Sequence, residues 1–396
     1  MLVGLWRSSW SLSHTCPVCP IPHLRANHGG DIWSAADRQR VSPFAFLDAS
    51  ASLAPTPRWL SLQISLSIAS QLRPYPDPTY HAFRDSLSLL HGLDPSWFLP
   101  GNGAAELFTW VARDSAAEGM NLLPQPGFSD YERALRCWDA PHSTYQLPTW
   151  WNTPSPRALS EVLSDPLSCQ PQCLWVTQPH NPTGLLWDTT DLLSLLSRYA
   201  MVVVDEAFLP LVPQGEERSL IPHLDRFPNL VVIRSLTKLY GLAGLRLGYA
   251  VAHPDRLRRW SAWRDPWTVN SVAAELGRLL LSDPNAYRRH CSGVQSWSTS
   301  EGVWWRDRLD QLPGLTPLPS VANFVLVRAG SPDDASPVSL RPLLEGLEAR
   351  HRVLLRDCRS FIGLGEGWFR LGYQRRPANR MIYRALEREW QRFVGG

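Results

Sequence analysis

Lys238 is the only lysine in this chain; the other 38 basic residues are arginines. It lies in the run Ser235-Leu236-Thr237-Lys238-Leu239-Tyr240-Gly241. Arginine replaces lysine in most surface and ion-pair roles, but a guanidinium does not deprotonate in proteins and cannot add to an aldehyde. The single retained amine is therefore a candidate imine-forming nucleophile. Upstream, Val202-Val203-Val204-Asp205 is an apolar run that ends in a carboxylate. An aspartate at the carboxyl end of a buried strand needs a cation or a set of backbone amides to meet it, and a protonated pyridine nitrogen is one such cation. Between these two sites in character, and before them in sequence, Gln178-Pro179-His180-Asn181-Pro182-Thr183-Gly184 is a tight polar turn whose Asn181 amide can donate to a ligand oxygen. Gly101-Asn102-Gly103-Ala104-Ala105-Glu106 places glycines before a helix start, where exposed amides and the positive end of the dipole suit a phosphate. Ser235 and Arg246 supply a hydroxyl and a guanidinium that can complete such a phosphate shell.

These residues need a scaffold that brings loops together. From about residue 97 to 253, short β-branched or apolar runs alternate with longer helical patterns, which predicts a parallel sheet with crossover helices. The expected strands are 121–123, 173–177, 201–204, 230–234 and 247–251, and in such sheets ligands sit outside the carboxyl ends of the strands. After Pro254 the pattern turns helical over 256–281 and 287–312. Extended runs at 323–328, 353–357 and 369–373, a helix at 340–350 and an Arg- and Glu-rich terminal helix predict a small α+β unit.

With 44% hydrophobic and 19% charged residues, the composition is that of a globular chain large enough for two domains around one crevice. The net charge of +3 carries no long run of either sign, so neither a nucleic-acid stripe nor a membrane-surface patch is expected. No apolar stretch approaches the ~20 residues of a membrane helix, and the first 27 residues lack the pattern of a secretory signal. Seven cysteines, an odd number, fit reduced thiols and a cytoplasmic location. Cys16 and Cys19, flanked by His14 and His23, are read as part of an irregular stretch, and no metal is expected.

Taken in order and spacing, the motifs resemble those of fold type I pyridoxal 5'-phosphate enzymes of the aspartate aminotransferase superfamily. The resemblance runs from about residue 28 onward. It implies an α/β fold with a large domain built on a mostly parallel seven-stranded sheet and a small α+β C-terminal domain. The corresponding division is an irregular extension at 1–27, an arm at 28–60 serving the substrate site and small domain, a large domain at 61–280 and a small domain at 281–396. By the same resemblance Lys238 forms the imine with the cofactor, Asp205 pairs with its ring nitrogen and Asn181 bonds its phenolic oxygen. Phe128 would stack on the ring, and the phosphate would lie on Ala104, Ala105, Ser235 and Arg246. Tyr75, in Arg73-Pro74-Tyr75-Pro76, matches a tyrosine that in relatives reaches the phosphate of the neighbouring subunit, which implies a homodimer.

Within that superfamily the chain is most similar to histidinol-phosphate aminotransferases and the threonine-phosphate decarboxylases of cobalamin biosynthesis. Three features lean toward the decarboxylases. His28-Gly29-Gly30-Asp31 resembles a segment that binds the substrate phosphate through main-chain amides. Phe208 stands where the aminotransferases usually carry tyrosine, which removes a hydrogen bond to the phenolic oxygen and raises the pKa of the imine. Leu355-Arg356-Asp357-Cys358, followed by Phe361 and Gly363-Leu364, resembles a decarboxylase segment. Asp31 departs from the usual asparagine, and a carboxylate beside a phosphate would repel it. Arg370 matches the superfamily's carboxylate-binding arginine, and Arg356 would face the second anion of a phosphorylated amino acid. The implied reaction is decarboxylation of L-threonine O-3-phosphate to (R)-1-aminopropan-2-yl phosphate. The rival expectations are a histidinol-phosphate or related aminotransferase and, outside enzymes, a cofactor-binding regulator. Decarboxylation and transamination share cofactor and fold, and the bond at the α carbon held perpendicular to the ring is the one that breaks.

Overall fold

The computed structural model describes residues 28–57, 60, 72–148, 158–163, 171–330 and 338–395. The cysteine pair Cys16 and Cys19, with His14 and His23, lies outside them. Thirteen strands are present among the described residues: β1 (Leu47–Asp48), β2 (Phe98–Gly101), β3 (Asn121–Gln125), β4 (His142–Gln146), β5 (Cys173–Thr177), β6 (Met201–Asp205), β7 (Leu230–Ser235), β8 (Gly248–Ala252), β9 (Leu315–Pro317), β10 (Phe324–Ala329), β11 (Val353–Leu354), β12 (Arg356–Asp357) and β13 (Trp368–Gly372).

Seven of these form the main sheet in the order β2-β8-β7-β6-β5-β3-β4. Only β8 runs against its neighbours, so the sheet is mostly parallel, as expected for βα repeats. Its strands are buried on both faces, and alternate residues enter two different cores. Val202, Val204, Val232 and Val251 face one layer of helices, while Met201, Val203, Val231 and Ala250 face the other. The second layer includes the helix Ala104–Glu118, which contributes Leu107, Phe108 and Val111.

Continuing that alternation to the carboxyl ends puts Thr177, Asp205 and Ser235 on the same face as the second layer, because Thr177 pairs with Asp205 and Asp205 with Ile233. One residue on, Glu206 and Arg234 point the other way. There Glu206 Oε2 accepts from Arg234 Nε at 2.8 Å, and Arg234 Nη1 donates to Glu216 Oε1 at 2.8 Å. Tyr287 adds its hydroxyl to Glu216 at 2.7 Å. A fully covered guanidinium between two carboxylates sits directly behind the strand ends that carry Asp205 and Lys238.

The smaller sheet is antiparallel, β12-β13-β10-β9. Its register places Leu326 opposite Arg370 and Arg370 opposite Arg356, so both arginines and Phe324 share the face turned toward the main sheet. The other face, with Val325, Val327, Phe369 and Leu371, packs on the terminal helix Arg376–Gly395 and the helix Arg341–His351. The 26-residue helix Pro284–Leu309 joins the two cores, giving Tyr287 and Val294 to the first and Trp305 and Leu309 to the second.

Two expected elements divide. The helical run 256–281 is two helices, Pro254–Trp263 and Ser271–Leu281, separated by a segment that contains Pro266. Tyr80 organises this break by donating its hydroxyl to the Pro266 carbonyl and accepting from the Val269 amide at 3.0 Å. The extended run 353–357 is two strands serving different sheets, since β11 pairs in parallel with β1 while β12 pairs antiparallel with β13. That division draws the chain at Ala49 and Ser50 to the end of β13, where Gly372 donates its amide to the Ala49 carbonyl.

Candidate active site

Lys238 lies on the one-and-a-half-turn helix Leu236–Tyr240, which leaves the end of β7 and stops at Gly241, in the left-handed region at φ 66°. A Cβ at Gly241 would meet the Ala54 carbonyl at 2.3 Å. The Lys238 amine sits 5.4 Å from the centre of the Phe208 ring. Burial, reinforced by the guanidinium of Arg370 and then that of Arg246, pulls its pKa down to about 8, against the opposing carboxylates of Asp205 and Asp48. A substantial neutral fraction near physiological pH is what a nucleophilic amine requires.

Asp205 is buried at the end of β6. Its Oδ1 accepts from the Ala207 amide at 3.0 Å and its Oδ2 from the Tyr131 hydroxyl at 2.6 Å. Burial pushes its pKa up to about 6, opposed by those two donors and by Lys238. A carboxylate so enclosed, with acceptor capacity to spare, is suited to a buried cation. Phe128 caps the helix Ser129–Arg136, and its ring lies 5.5 Å from that of Tyr131 and 5.3 Å from the His28 imidazole.

Asn181 is buried, and its Oδ1 accepts from Arg370 Nη1. A guanidinium only donates, so the amide nitrogen of Asn181 is turned outward as a donor. Arg370 Nη2 reaches the Ser50 carbonyl at 3.3 Å, its Nε has no partner among the described residues, and its guanidinium lies 4.7 Å over Phe324. Burial and then Arg356 bring its pKa down to about 10, still charged at neutral pH. Arg356 donates to Ser360 Oγ at 2.6 Å and stands over Phe361.

Gly103 precedes the helix Ala104–Glu118 at φ 75°, and a Cβ there would lie 2.7 Å from Arg246 Nη2. The missing side chain lets the Arg246 guanidinium stand at the helix start, beside the amides of Ala104 and Ala105. The Ser235 hydroxyl, at the end of β7, takes no protein partner among the described residues. Helix amides, a guanidinium and an uncommitted hydroxyl make an anion cradle.

Gly29 and Gly30 lie against the arm segment at Ser50: the Gly30 amide donates to Ser50 Oγ at 2.8 Å, and a Cβ on Gly29 would overlap the Ser50 carbonyl. The His28 pKa is lowered, first by burial and also by Arg356, Arg133 and Lys238, with Asp130 opposing. Asp31 caps the helix Ile32–Gln39, its Oδ1 accepting from the Ser34 amide at 3.1 Å. The unusual carboxylate is thus occupied with that helix start. Tyr75 does not join the cluster through its own contacts; it is 78% exposed and stacks on Trp267 at 4.7 Å. Sequence reasoning missed Tyr131, Thr177 and Ser50. Thr177 had a usable signal, since it ends the strand paired with β6; Tyr131 and Ser50 had none.

The model of aminotransferase class I and II matches residues 45–387. The chain belongs to that family. It is 32% identical over 368 residues to threonine-phosphate decarboxylase from Salmonella typhimurium, covering 91% of this chain and 95% of the relative. It is also 32% identical over 316 residues to histidinol-phosphate aminotransferase from Symbiobacterium thermophilum, covering 78% and 80%. The structure of L-threonine-O-3-phosphate decarboxylase from Porphyromonas gingivalis superposes with a TM-score of 0.73 at 25% identity, covering 87% of this chain and 98% of that one. Histidinol-phosphate aminotransferase from Sinorhizobium meliloti, solved in complex with pyridoxal-5'-phosphate, gives 0.77 at 18% identity over 91% and 94%. The cofactor of this family member is pyridoxal 5'-phosphate. The residues present fit it: the cradle opened by Gly103, the enclosed Asp205 carboxylate and the desolvated Lys238 amine match its phosphate, ring nitrogen and aldehyde. Among the described residues no helix is long and apolar enough to cross a membrane, and no cluster of His, Cys, Asp or Glu could hold a metal ion.

Proposed function

We propose that this protein decarboxylates L-threonine O-3-phosphate to (R)-1-aminopropan-2-yl phosphate. The observation that carries the reading is the pair Arg356 and Arg370, opposite each other on adjacent strands and turned toward the main sheet beside the His28-Gly29-Gly30 arm. Two guanidiniums suit a substrate with two anionic groups, a carboxylate and a phosphate. Histidinol phosphate offers only the phosphate. The likeness to the Salmonella typhimurium decarboxylase over nearly the full length of both chains adds support.

In this reading the phosphate of the cofactor is held by Ala104, Ala105, Ser235 and Arg246, its ring nitrogen by Asp205, its phenolic oxygen by Asn181 and its ring face by Phe128. When bound, the cofactor supplies an electron sink for a bond broken at the substrate's α carbon. Lys238 Nζ would hold the cofactor at its aldehyde carbon, and the same amine would be placed to deliver a proton to the substrate's α carbon. Arg370 grips the substrate carboxylate, and its bond to Asn181 ties that grip to the cofactor site. Arg356 and the Gly29 amide take the substrate phosphate, while the Gly30 amide, committed to Ser50 Oγ, holds the arm in place. Phe208 contributes an apolar wall with no hydroxyl, which leaves the phenolic oxygen to Asn181. The 78% exposure of Tyr75 supports a homodimer in which this ring enters the partner's site.

The experiment is to incubate the purified protein with L-threonine O-3-phosphate and measure carbon dioxide and the amine product. Release of both is expected. Absence of carbon dioxide, with transamination of histidinol phosphate instead, would overturn the assignment in favour of the aminotransferase reading.

A further inference from the structure

We propose that Tyr131 is a positioning residue for the cofactor's ring nitrogen, acting through the hydrogen bond by which its hydroxyl fixes the Asp205 carboxylate. The inference rests on the reading that Asp205 meets that nitrogen, and nothing in the motif pattern around Lys238 points to it.

Tyr131 comes from the helix Ser129–Arg136, and Asp205 and Thr177 from adjacent strand ends in register. The Tyr131 hydroxyl lies 2.6 Å from Asp205 Oδ2 and 2.9 Å from Thr177 Oγ1. A phenol has one proton. It goes to the carboxylate, which only accepts and makes the shorter contact; Thr177 must then donate to the phenol oxygen. The three groups form a directed chain, Thr177 to Tyr131 to Asp205. With the Ala207 amide on Oδ1, the two oxygens of Asp205 are held by donors from different elements, so the plane of the carboxylate is fixed while each oxygen keeps a further lone pair.

The location of Tyr131 argues that the hydroxyl, more than the ring, is the functional part. Its ring is boxed by Phe108 at 4.9 Å, Trp175 at 5.4 Å and Phe128 at 5.5 Å, an apolar setting that a phenylalanine would satisfy equally. A phenol hydroxyl in such a box needs a partner, and both of its partners lie at the strand ends that carry Asp205. Burial opposes the ionised form of Asp205, and the Tyr131 bond is the largest contribution acting against it. Without that bond Asp205 would ionise less readily and would be a less directed acceptor for a ring N–H.

The test compares Tyr131→Phe with wild type by reconstituting the full-length protein with pyridoxal 5'-phosphate or with its carbocyclic analogue, in which a C–H replaces the ring nitrogen. The wild type should prefer the natural cofactor. Tyr131→Phe should reduce that preference roughly 10- to 100-fold, the range for one hydrogen bond to a charged group, with binding of the analogue unchanged and kcat lowered at constant KM. Thr177→Val should give a smaller loss of the same kind. Equal weakening of both ligands would mark Tyr131 as packing only, and an unchanged preference would show the bond to be idle; either result overturns the proposal. Asp205→Asn separates the two levels. If that variant keeps the full preference, the assignment of Asp205 to the ring nitrogen falls; if it loses the preference while Tyr131→Phe keeps it, only the role of Tyr131 falls.

Discussion

Asp205 should make the cofactor-free protein less stable than it could be. Its carboxyl has an ordinary pKa of 3.8 and is pushed up to about 6 in the folded chain, chiefly by burial. Between those values the native state holds a proton that the unfolded state has released, so the contribution of this group to stability falls as the pH rises through that window. By pH 7 the ionised carboxylate costs about 3 kcal/mol relative to the unfolded chain. Asp205→Asn removes the charge and keeps the shape. The Ala207 amide still has a carbonyl oxygen to bond, and Tyr131 can turn its proton to Thr177 and accept from the new amide nitrogen. The variant apoprotein should therefore be more stable than the wild type by up to about 3 kcal/mol at pH 7, and by close to nothing at pH 4. Urea denaturation at the two pH values measures this directly. Destabilisation at pH 7, or a gain of equal size at both pH values, would refute the reasoning. With cofactor bound the order should reverse at pH 7, because a ring cation then compensates the charge in the wild type only.

Three further outcomes follow from the same geometry. Borohydride treatment of the cofactor-loaded protein should fix the cofactor to Lys238 in the wild type and to no side chain in Lys238→Arg, which keeps no side-chain amine; a cofactor-loaded wild type that gives no Lys238 adduct by mass spectrometry would refute the assignment. Gly103→Ala should weaken cofactor binding at least about tenfold, since the new methyl meets the Arg246 guanidinium and the position has φ 75°; a titration showing wild-type affinity would argue against the cradle. Glu206→Gln strips one partner from the covered Arg234 guanidinium and should cost about 3 kcal/mol in denaturation, while leaving the preference for cofactor over its carbocyclic analogue intact.

Much of the scaffold was legible because it follows from local pattern. The runs that became β5, β6 and β7 are continuous and apolar, as strands buried on both faces must be, and they were placed to within a residue at each end. β2 and β4 were not. β2 is four residues that include Pro100 and Gly101, and β4, His-Ser-Thr-Tyr-Gln, is a polar strand at the edge of the sheet; neither carries a hydrophobic period. The breaks at Pro266 and Leu355 were also hidden, because each depends on a distant partner: the Tyr80 hydroxyl in one case and two different sheets in the other.

The sequence by itself determined the chemistry available. It holds one side-chain amine, Lys238, and it orders Asn181, Asp205 and the lysine at or just beyond strand ends that a parallel sheet must gather at one edge. The tertiary structure decided which of these groups touch and in what state. The bond from Arg370 to Asn181 spans 189 positions, and the bond from Tyr131 to Asp205 spans 74. Both depend on strand register and on the packing of one layer against another, and neither is written in any local run of residues. The same register separates Asp205 from Glu206, adjacent carboxylates sent to opposite faces of one sheet: one toward Tyr131, the other into an ion pair with Arg234.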